Sequence, residues 1–316
     1  MTLEGQLRDF RKVLQRADFS VSDPHGLSSI SFDMVARRGG LILVAKCALN
    51  VCTLDKVVAN ELKVLASTLG GAPLIVASHT GQSRLEDGVI FTRYGVPVMT
   101  LGTARDLFIE GVPPYVFAGP GGLYVKIDSA TLKRARERRI SIGDLAEAAG
   151  VSRRAIQMYE DGMGAMLEAA LRLEAFLGEH LILPVDPFSY DSSTVEELES
   201  QSSAASAVGL RGEVYSHLGK LGYKVYQTAK CPFDALTKEK ENLYITGVAL
   251  DAASVGGKAH VAYSVARIVQ RPSVIFTEGM PRKKNVEGSI VIGKKELKSV
   301  SEPEELSELV KERKRG

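Results

Sequence analysis

The chain has 316 residues, 45% hydrophobic and 25% charged, enough for two or three compact domains. Its 40 lysines and arginines against 38 acids give a formal net charge of +2, which excludes a generally polyanion-seeking protein. Three cysteines (Cys47, Cys52, Cys231) without a C-x-x-C pair exclude a disulfide framework and a paired-cysteine metal site. No apolar run of membrane length and no signal-peptide pattern occurs, so the expectation is a reduced, soluble, cytoplasmic protein with no membrane association.

Leu3, Leu7, Phe10 and Leu14 recur at spacings of three and four, predicting a helix over 3–16 with one apolar stripe. Strands are predicted over 28–36 and 41–47, parted by the turn Arg37-Arg38-Gly39-Gly40, with Cys47 a small buried hydrophobe. A helix over about 54–69, a buried strand over 73–78, short strands over 89–93 and 96–100 and a small helix from Ala104 complete an α/β unit. Its natural end is Gly111-Val-Pro-Pro114. Residues 115–127 read as two strands joined by a hairpin turn at Gly119-Pro-Gly-Gly122. A phosphate loop is the weaker reading, because the Lys-Ser/Thr of a P-loop does not follow.

From Asp128 to Gly178 the pattern is helical throughout; residues 184–206, rich in serine, acids and small residues, read as a linker. The α/β pattern returns from Val208 and closes in the charged tail Lys311–Arg315, a solvated segment or an auxiliary DNA contact. The expected domains are an α/β domain over 1–112, a hairpin connector over 113–127, a helical domain over 128–182, a linker over 183–207 and a second α/β domain over 208–316.

The second α/β segment reads as a diverged copy of the first. Phe32-Asp33 matches Phe233-Asp234, Leu41–Ala45 matches Leu243–Gly247, and Pro73–Val76 matches Pro272–Ile275. Gly88–Ile90 is matched to Gly288–Ile290 and Leu107 to Leu306. A period this long excludes a solenoid and predicts two similar domains either side of a helical one.

Residues Ser141 to Gly162 carry the sharpest signal. Ala146 is small where two helices must cross, and Gly150 stands four residues later in a turn that needs a positive φ. Leu145, Val151, Ile156 and Tyr159 supply a small core; Ser141, with Asp144 as reciprocal partner, and Ser152 can cap the two helices. This spacing leaves Arg153, Arg154, Gln157 and Met158 on the outer face of the second helix. Arginine and glutamine there can make paired hydrogen bonds to guanine and adenine edges in the major groove. The preceding helix carries Lys133, Arg134, Arg136, Arg138 and Arg139. From Thr131 to Gln157 basic residues outnumber acids seven to three, an excess suited to phosphate contacts, to which Ser141 and Ser152 would add.

Leu132-Lys-Arg-Ala-Arg136, Leu145-Ala-x-x-x-Gly-Val-Ser152 and Tyr159-Glu-Asp-Gly162, with a last helix over 166–177, resemble the Cro/lambda-repressor (XRE-type) helix-turn-helix family. Ile142 departs from the family pattern, where many members place a phosphate-contacting glutamine. A helical hairpin used only for packing is the bland alternative. The resemblance implies binding to double-stranded DNA, commonly as a homodimer. Over nearly its full length the chain also resembles an archaeal family named as HTH-type transcriptional regulators.

A Phe-Asp strand followed by an apolar strand ending near a lysine resembles the PD-(D/E)xK nuclease core, which holds Mg²⁺ between two acids beside a lysine. Asp33 and Lys46 fit, but Val44 stands where the second acid belongs; in the second copy Asp234 is present and the equivalent pair is read as Thr246 and Val248. Both domains are therefore expected to be degenerate, without catalytic residues, metal or cofactor, although Glu61 or Asp87 could supply an acid. Asp33 and Asp234 are otherwise strand-end carboxylates satisfied by backbone donors, and Lys46 a solvated or strand-end lysine. His25, His79, His180, His217 and His260 show no metal-ligand spacing.

The expected fold class is thus α/β with a central all-α helix-turn-helix domain between two nuclease-like α/β domains. The expected function is sequence-specific transcription regulation, with a recognition helix in the major groove. Alternatives are a divergent metal-dependent DNA nuclease targeted by the helix-turn-helix, and a protein-bridging cofactor that contacts the transcription machinery.

Overall fold

The structure, a computed structural model, describes residues 2–23, 31–137, 140–190, 207–250, 252–281 and 283–315. The chain divides into two compact units, one of Met1–Cys47, Thr53–Leu74 and Asp191–Gly316, the other of Ala48–Cys52 and Ile75–Tyr190. The expected arginines Arg138 and Arg139, residues 28–30 of the first predicted strand and 191–206 of the linker lie outside the described residues.

The first unit opens with α1 (Leu3–Arg16), capped by Thr2 and burying Leu7, Phe10 and Leu14 as the apolar stripe predicts. Strands β1 (Ser20–Val21), β2 (Met34–Arg38) and β3 (Leu41–Asn50) form an antiparallel meander, and α2 (Lys56–Thr68) follows, its first turn capped by Asp55. Cys47 is buried.

In the second unit, β4 (Ala72–Thr80, from Ile75 onward) receives β5 (Ser83–Arg84) and runs parallel to β7 (Val96–Met99). β6 (Val89–Arg93) is antiparallel to β7 across Tyr94-Gly95, both at positive φ (50° and 79°), the geometry of a tight primed hairpin turn. The small helix begins at Leu101, earlier than expected, because Thr100 caps it: α3 (Leu101–Arg105) then widens into a π-helical turn over Asp106–Glu110. β8 (Val116–Gly119) and β9 (Gly122–Ile127) make the expected hairpin, and β8 runs parallel to β6.

Helices α4 (Ser129–Glu137), α5 (Ile142–Ala149), α6 (Arg153–Glu160) and α7 (Leu167–Leu177) follow. They do not form an all-α domain. β10 (Ala165–Met166) and β11 (Ile182–Leu183) both pair with β9, so Val125 and Ile127 join Leu132, Leu145, Ile156, Leu173 and Leu181 in one core.

The first unit resumes with α8 (Leu210–Lys220), β12 (Lys224–Gln227), β13 (Ala235–Glu239), β14 (Asn242–Ala249), α9 (Ala252–Val269), β15 (Ser273–Thr277), β16 (Asn285–Val286), β17 (Ser289–Gly293), α10 (Lys294–Ser299) and α11 (Pro303–Arg315). Their sheet runs β12-β13-β14-β15-β17-β16, with β14, β15 and β17 mutually parallel. Val214, Leu218, Phe276, Ile292 and Leu306 fill its core.

Both α/β segments run helix, short strand, antiparallel pair, helix, strand, hairpin, helix. The registers correct two of the expected equivalences. Met34 pairs with Ala45 as Ala235 pairs with Thr246, so Val44 and Lys46 correspond to Ile245 and Gly247, not to Thr246 and Val248. The turn matching Glu287-Gly288 (φ 49° and 82°) is Tyr94-Gly95, not Gly88. Within the first unit equivalent residues meet: the Phe32 and Phe233 rings lie 6.0 Å apart. Glu61 reinforces this contact by accepting from the Ala229 N–H at 2.6 Å, from Lys230 N–H and from the Ser31 hydroxyl.

Candidate nucleic-acid interface

Each helix of the module is built by its own end. Asp128 accepts from the N–H groups of Ala130 and Thr131, both at 3.0 Å, and starts α4; those bonds and the Thr131 hydroxyl hold its carboxyl below the ordinary carboxylate range. Ser141 and Asp144 make the reciprocal capping box of α5: Asp144 N–H donates to Ser141 Oγ at 3.1 Å and Ser141 N–H to Asp144 Oδ2 at 3.0 Å. α5 ends at Gly150 with φ 70°, a left-handed C-cap that glycine adopts without a Cβ penalty. Ser152 accepts from Ala155 N–H at 3.1 Å and starts α6. Ser129 Oγ donates to the Tyr159 carbonyl at 2.6 Å and ties α4 to the end of α6, a link with no marker in the residue pattern.

On α6, Ile156 and Tyr159 face the core while Arg153, Arg154, Gln157 and Met158 are exposed. Arg153 leans back over the start of α5: a β-carbon on Gly143 would lie 3.3 Å from its Nη2. On α4, Lys133 and Arg134 are exposed, and Arg134 donates to Thr131 Oγ1 at 2.6 Å. Arg136 lies within the same helix, and Ser141 and Ser152 are exposed at the two caps. Residues 153 to 158, about a turn and a half of helix, thus present four exposed side chains over a packed core.

The two buried aspartates tell a different story. Asp33, 1% exposed, accepts from Lys46 Nζ at 3.0 Å and from the Cys47 N–H at 2.7 Å. Lys46 is therefore not a solvated lysine; it is buried with its partner. Burial pushes the Asp33 carboxyl above its ordinary value, against the lowering pull of Lys46 and the Cys47 N–H. Asp234 repeats the backbone bond, from Val248 N–H at 2.7 Å, but its cations come from elsewhere: Lys258 of α9 at 2.6 Å and Arg211 of α8. Gly247 occupies the place of Lys46, and a β-carbon there would come within 2.6 Å of Ile275. Neither Arg211 nor Lys258 is marked by spacing, since both reach Asp234 from distant helices.

Each aspartate is thus paired with protein cations, and Val44 and Ile245, on the strands that follow Asp33 and Asp234, are buried. The other candidate acids are engaged: Glu61 as above, and Asp87 by Thr100. Among the described residues no group of three or more His, Cys, Asp or Glu could hold a metal ion, and no helix is long and apolar enough to cross a membrane.

Comparison with known proteins finds matches to both regions of the chain. A family model described as "PD-(D/E)XK superfamily domain" matches residues 4–114, and one described as "Helix-turn-helix" matches residues 132–182. Proteins named "Putative HTH-type transcriptional regulatory protein" match along the whole chain. That of Methanosarcina mazei is 35% identical over 99% of this chain and 98% of its own length. Those of Methanocella arvoryzae (36%; 98% and 96%) and Archaeoglobus fulgidus (34%; 96% and 96%) are similar to the same extent. No solved structure matches.

Proposed function

This chain belongs to the family of HTH-type transcriptional regulatory proteins found in Methanosarcina, Methanocella and Archaeoglobus, and from that premise we propose that it regulates transcription by sequence-specific binding to double-stranded DNA. The observation that carries this reading is the first turn and a half of α6: four exposed side chains, two of them arginines, directly opposite buried Ile156 and Tyr159. In the reading, Arg153, Arg154, Gln157 and Met158 meet base edges in the major groove. Lys133, Arg134 and Arg136 with the caps Ser141 and Ser152 meet phosphates. The protein acts in the cytoplasm as a homodimer on two half-sites about one helical turn apart. The residues 4–114 that match the nuclease superfamily serve as a non-cutting scaffold, supported by the neutralised Asp33 and the valine at position 44.

Selection from random-sequence DNA, followed by affinity across a salt series, tests this. Recovery of a two-fold symmetric motif with a steep salt slope is expected; binding without any enriched motif overturns sequence-specific regulation.

A further inference from the structure

Asp234 holds one more cation than its counterpart does. Asp33 is satisfied by one ammonium and one backbone N–H, from Lys46 and Cys47. Asp234 has that full set in Lys258, whose ammonium lies 2.6 Å from Oδ2, and in the Val248 N–H at 2.7 Å. Arg211 is added to it, paired through Oδ1, with its side chain half exposed. Two cations on one carboxylate leave the cluster with a net positive charge. Lys258 balances the carboxylate as Lys46 does for Asp33, so Arg211 can turn to a second anion without leaving Asp234 uncompensated.

Tyr215 lies one turn after Arg211 on the same face of α8. It is 8% exposed, and its buried hydroxyl has no hydrogen-bond partner among the described residues. Burial, and then the charge of Asp234, push the phenol upward while Arg211 pulls it down, so the hydroxyl sits within the field of both charges. A buried O–H without an acceptor is unfavourable, and an anion beside it relieves that state.

The start of α8 adds to the same field. Its N-cap is Gly209, which makes no side-chain cap, whereas Thr2 caps α1. Counted from those caps, Arg211 stands where α1 carries Glu4. Glu213, the acid in this first turn, is taken by Lys294 at 2.9 Å and Lys298 at 3.0 Å. A helix start without a side-chain cap, with a guanidinium in its first turn, favours an anion. A phosphate has enough oxygens to accept from a guanidinium fork, a phenol and helix N–H groups together, which the two oxygens of a carboxylate do less well.

We propose that Arg211, Tyr215 and the start of α8 form a binding site for a phosphate group, with Lys258 holding Asp234 when Arg211 turns to the ligand. The site does not depend on the DNA-binding reading above.

The probe is inorganic phosphate on the full chain, measured by equilibrium dialysis at constant ionic strength with chloride as the balancing anion. Saturable binding is expected. Arg211→Gln should weaken it about tenfold and keep the fold, since Lys258 and the Val248 N–H still pair Asp234. Tyr215→Phe should weaken it severalfold, yet melt at or above the parent's temperature in phosphate-free buffer, because it removes an unpartnered buried hydroxyl. A tyrosine that only packs would leave phosphate affinity untouched. No saturable phosphate binding, or full affinity in either variant, overturns the site. With binding established, displacement of phosphate by a short duplex of arbitrary sequence identifies the natural group as a nucleic-acid backbone phosphate. Retention of phosphate beside saturating duplex identifies it as part of a small phosphorylated ligand; both outcomes support the site. Failure of the protein to select any DNA refutes the regulator reading instead and leaves these dialysis results unaffected.

Discussion

Replacing Lys46 with methionine keeps the length of the side chain and removes the ammonium 3.0 Å from Asp33. Both residues are almost wholly buried, at 2% and 1% exposure, so the variant leaves a carboxylate whose only remaining hydrogen-bond partner among the described residues is the Cys47 N–H at 2.7 Å. Breaking a buried pair from one side costs about 3–5 kcal/mol. At about 2–4 °C per kcal/mol for a domain of this size, melting falls by about 6–20 °C. Removing both partners, as Asp33→Asn with Lys46→Met, returns much of the loss, because no uncompensated charge remains. The pH dependence has a fixed sign. Burial already raises the Asp33 carboxyl above its ordinary 3.8, and without Lys46 it rises further. A carboxyl with a raised folded value favours the fold only when protonated: the benefit is complete below 3.8 and is lost as pH climbs through the folded value. The deficit of the methionine variant is therefore greatest near neutrality and shrinks in acid. Urea melts of the three proteins across a pH series measure this. A methionine variant with the parent's midpoint at neutral pH would refute the argument; were Lys46 instead a catalytic lysine, the substitution would spare stability and abolish metal-dependent cleavage.

Arg153→Ala and Arg154→Ala are each expected to weaken specific DNA binding by about 1–3 kcal/mol and relax preference at one base position, measured by repeating the selection with each variant. Lys133→Ala should instead weaken binding uniformly across sequences and lower the salt slope by about one, read from a titration series. Gly150→Ala forces a Cβ into a left-handed conformation at φ 70° and should cost about 1–2 kcal/mol of stability by denaturant melt, with the helix content of the folded state unchanged. Supercoiled or branched DNA should survive incubation with the protein and Mg²⁺ or Mn²⁺; cleavage abolished by Asp33→Ala would show that the nuclease-like segment retains a working centre.

The elements that their own residues determine were legible in the sequence. The 3–16 stripe marks α1, the short run Val89–Arg93 marks β6, and the caps Ser141 and Ser152 with Gly150 between them delimit α5 and α6, because capping is a contact between neighbours in sequence. What escaped depends on distant partners. β10 and β11 are two residues each, too short for any periodicity, and exist because β9 offers them backbone groups. The repeat was visible through Phe32-Asp33 and Phe233-Asp234, yet the following strand was set one residue out of register. In a near-continuous apolar run, neighbouring offsets look alike until the hydrogen bonds choose one. Lys258 and Arg211 stayed hidden for the same reason: a charge brought to Asp234 by a helix leaves no local pattern.

The meeting of Phe32 with Phe233 makes the first unit its own partner. In a symmetric homodimer every substitution at such a contact is made twice, and both sides must tolerate it. Here each side can change alone, and the two aspartates record that freedom: one is answered from the neighbouring strand by Lys46, the other from a helix by Lys258, with a glycine left behind in the equivalent strand. Joining the halves in one chain also makes their association intramolecular and independent of protein concentration. Dilution therefore does not separate these two halves.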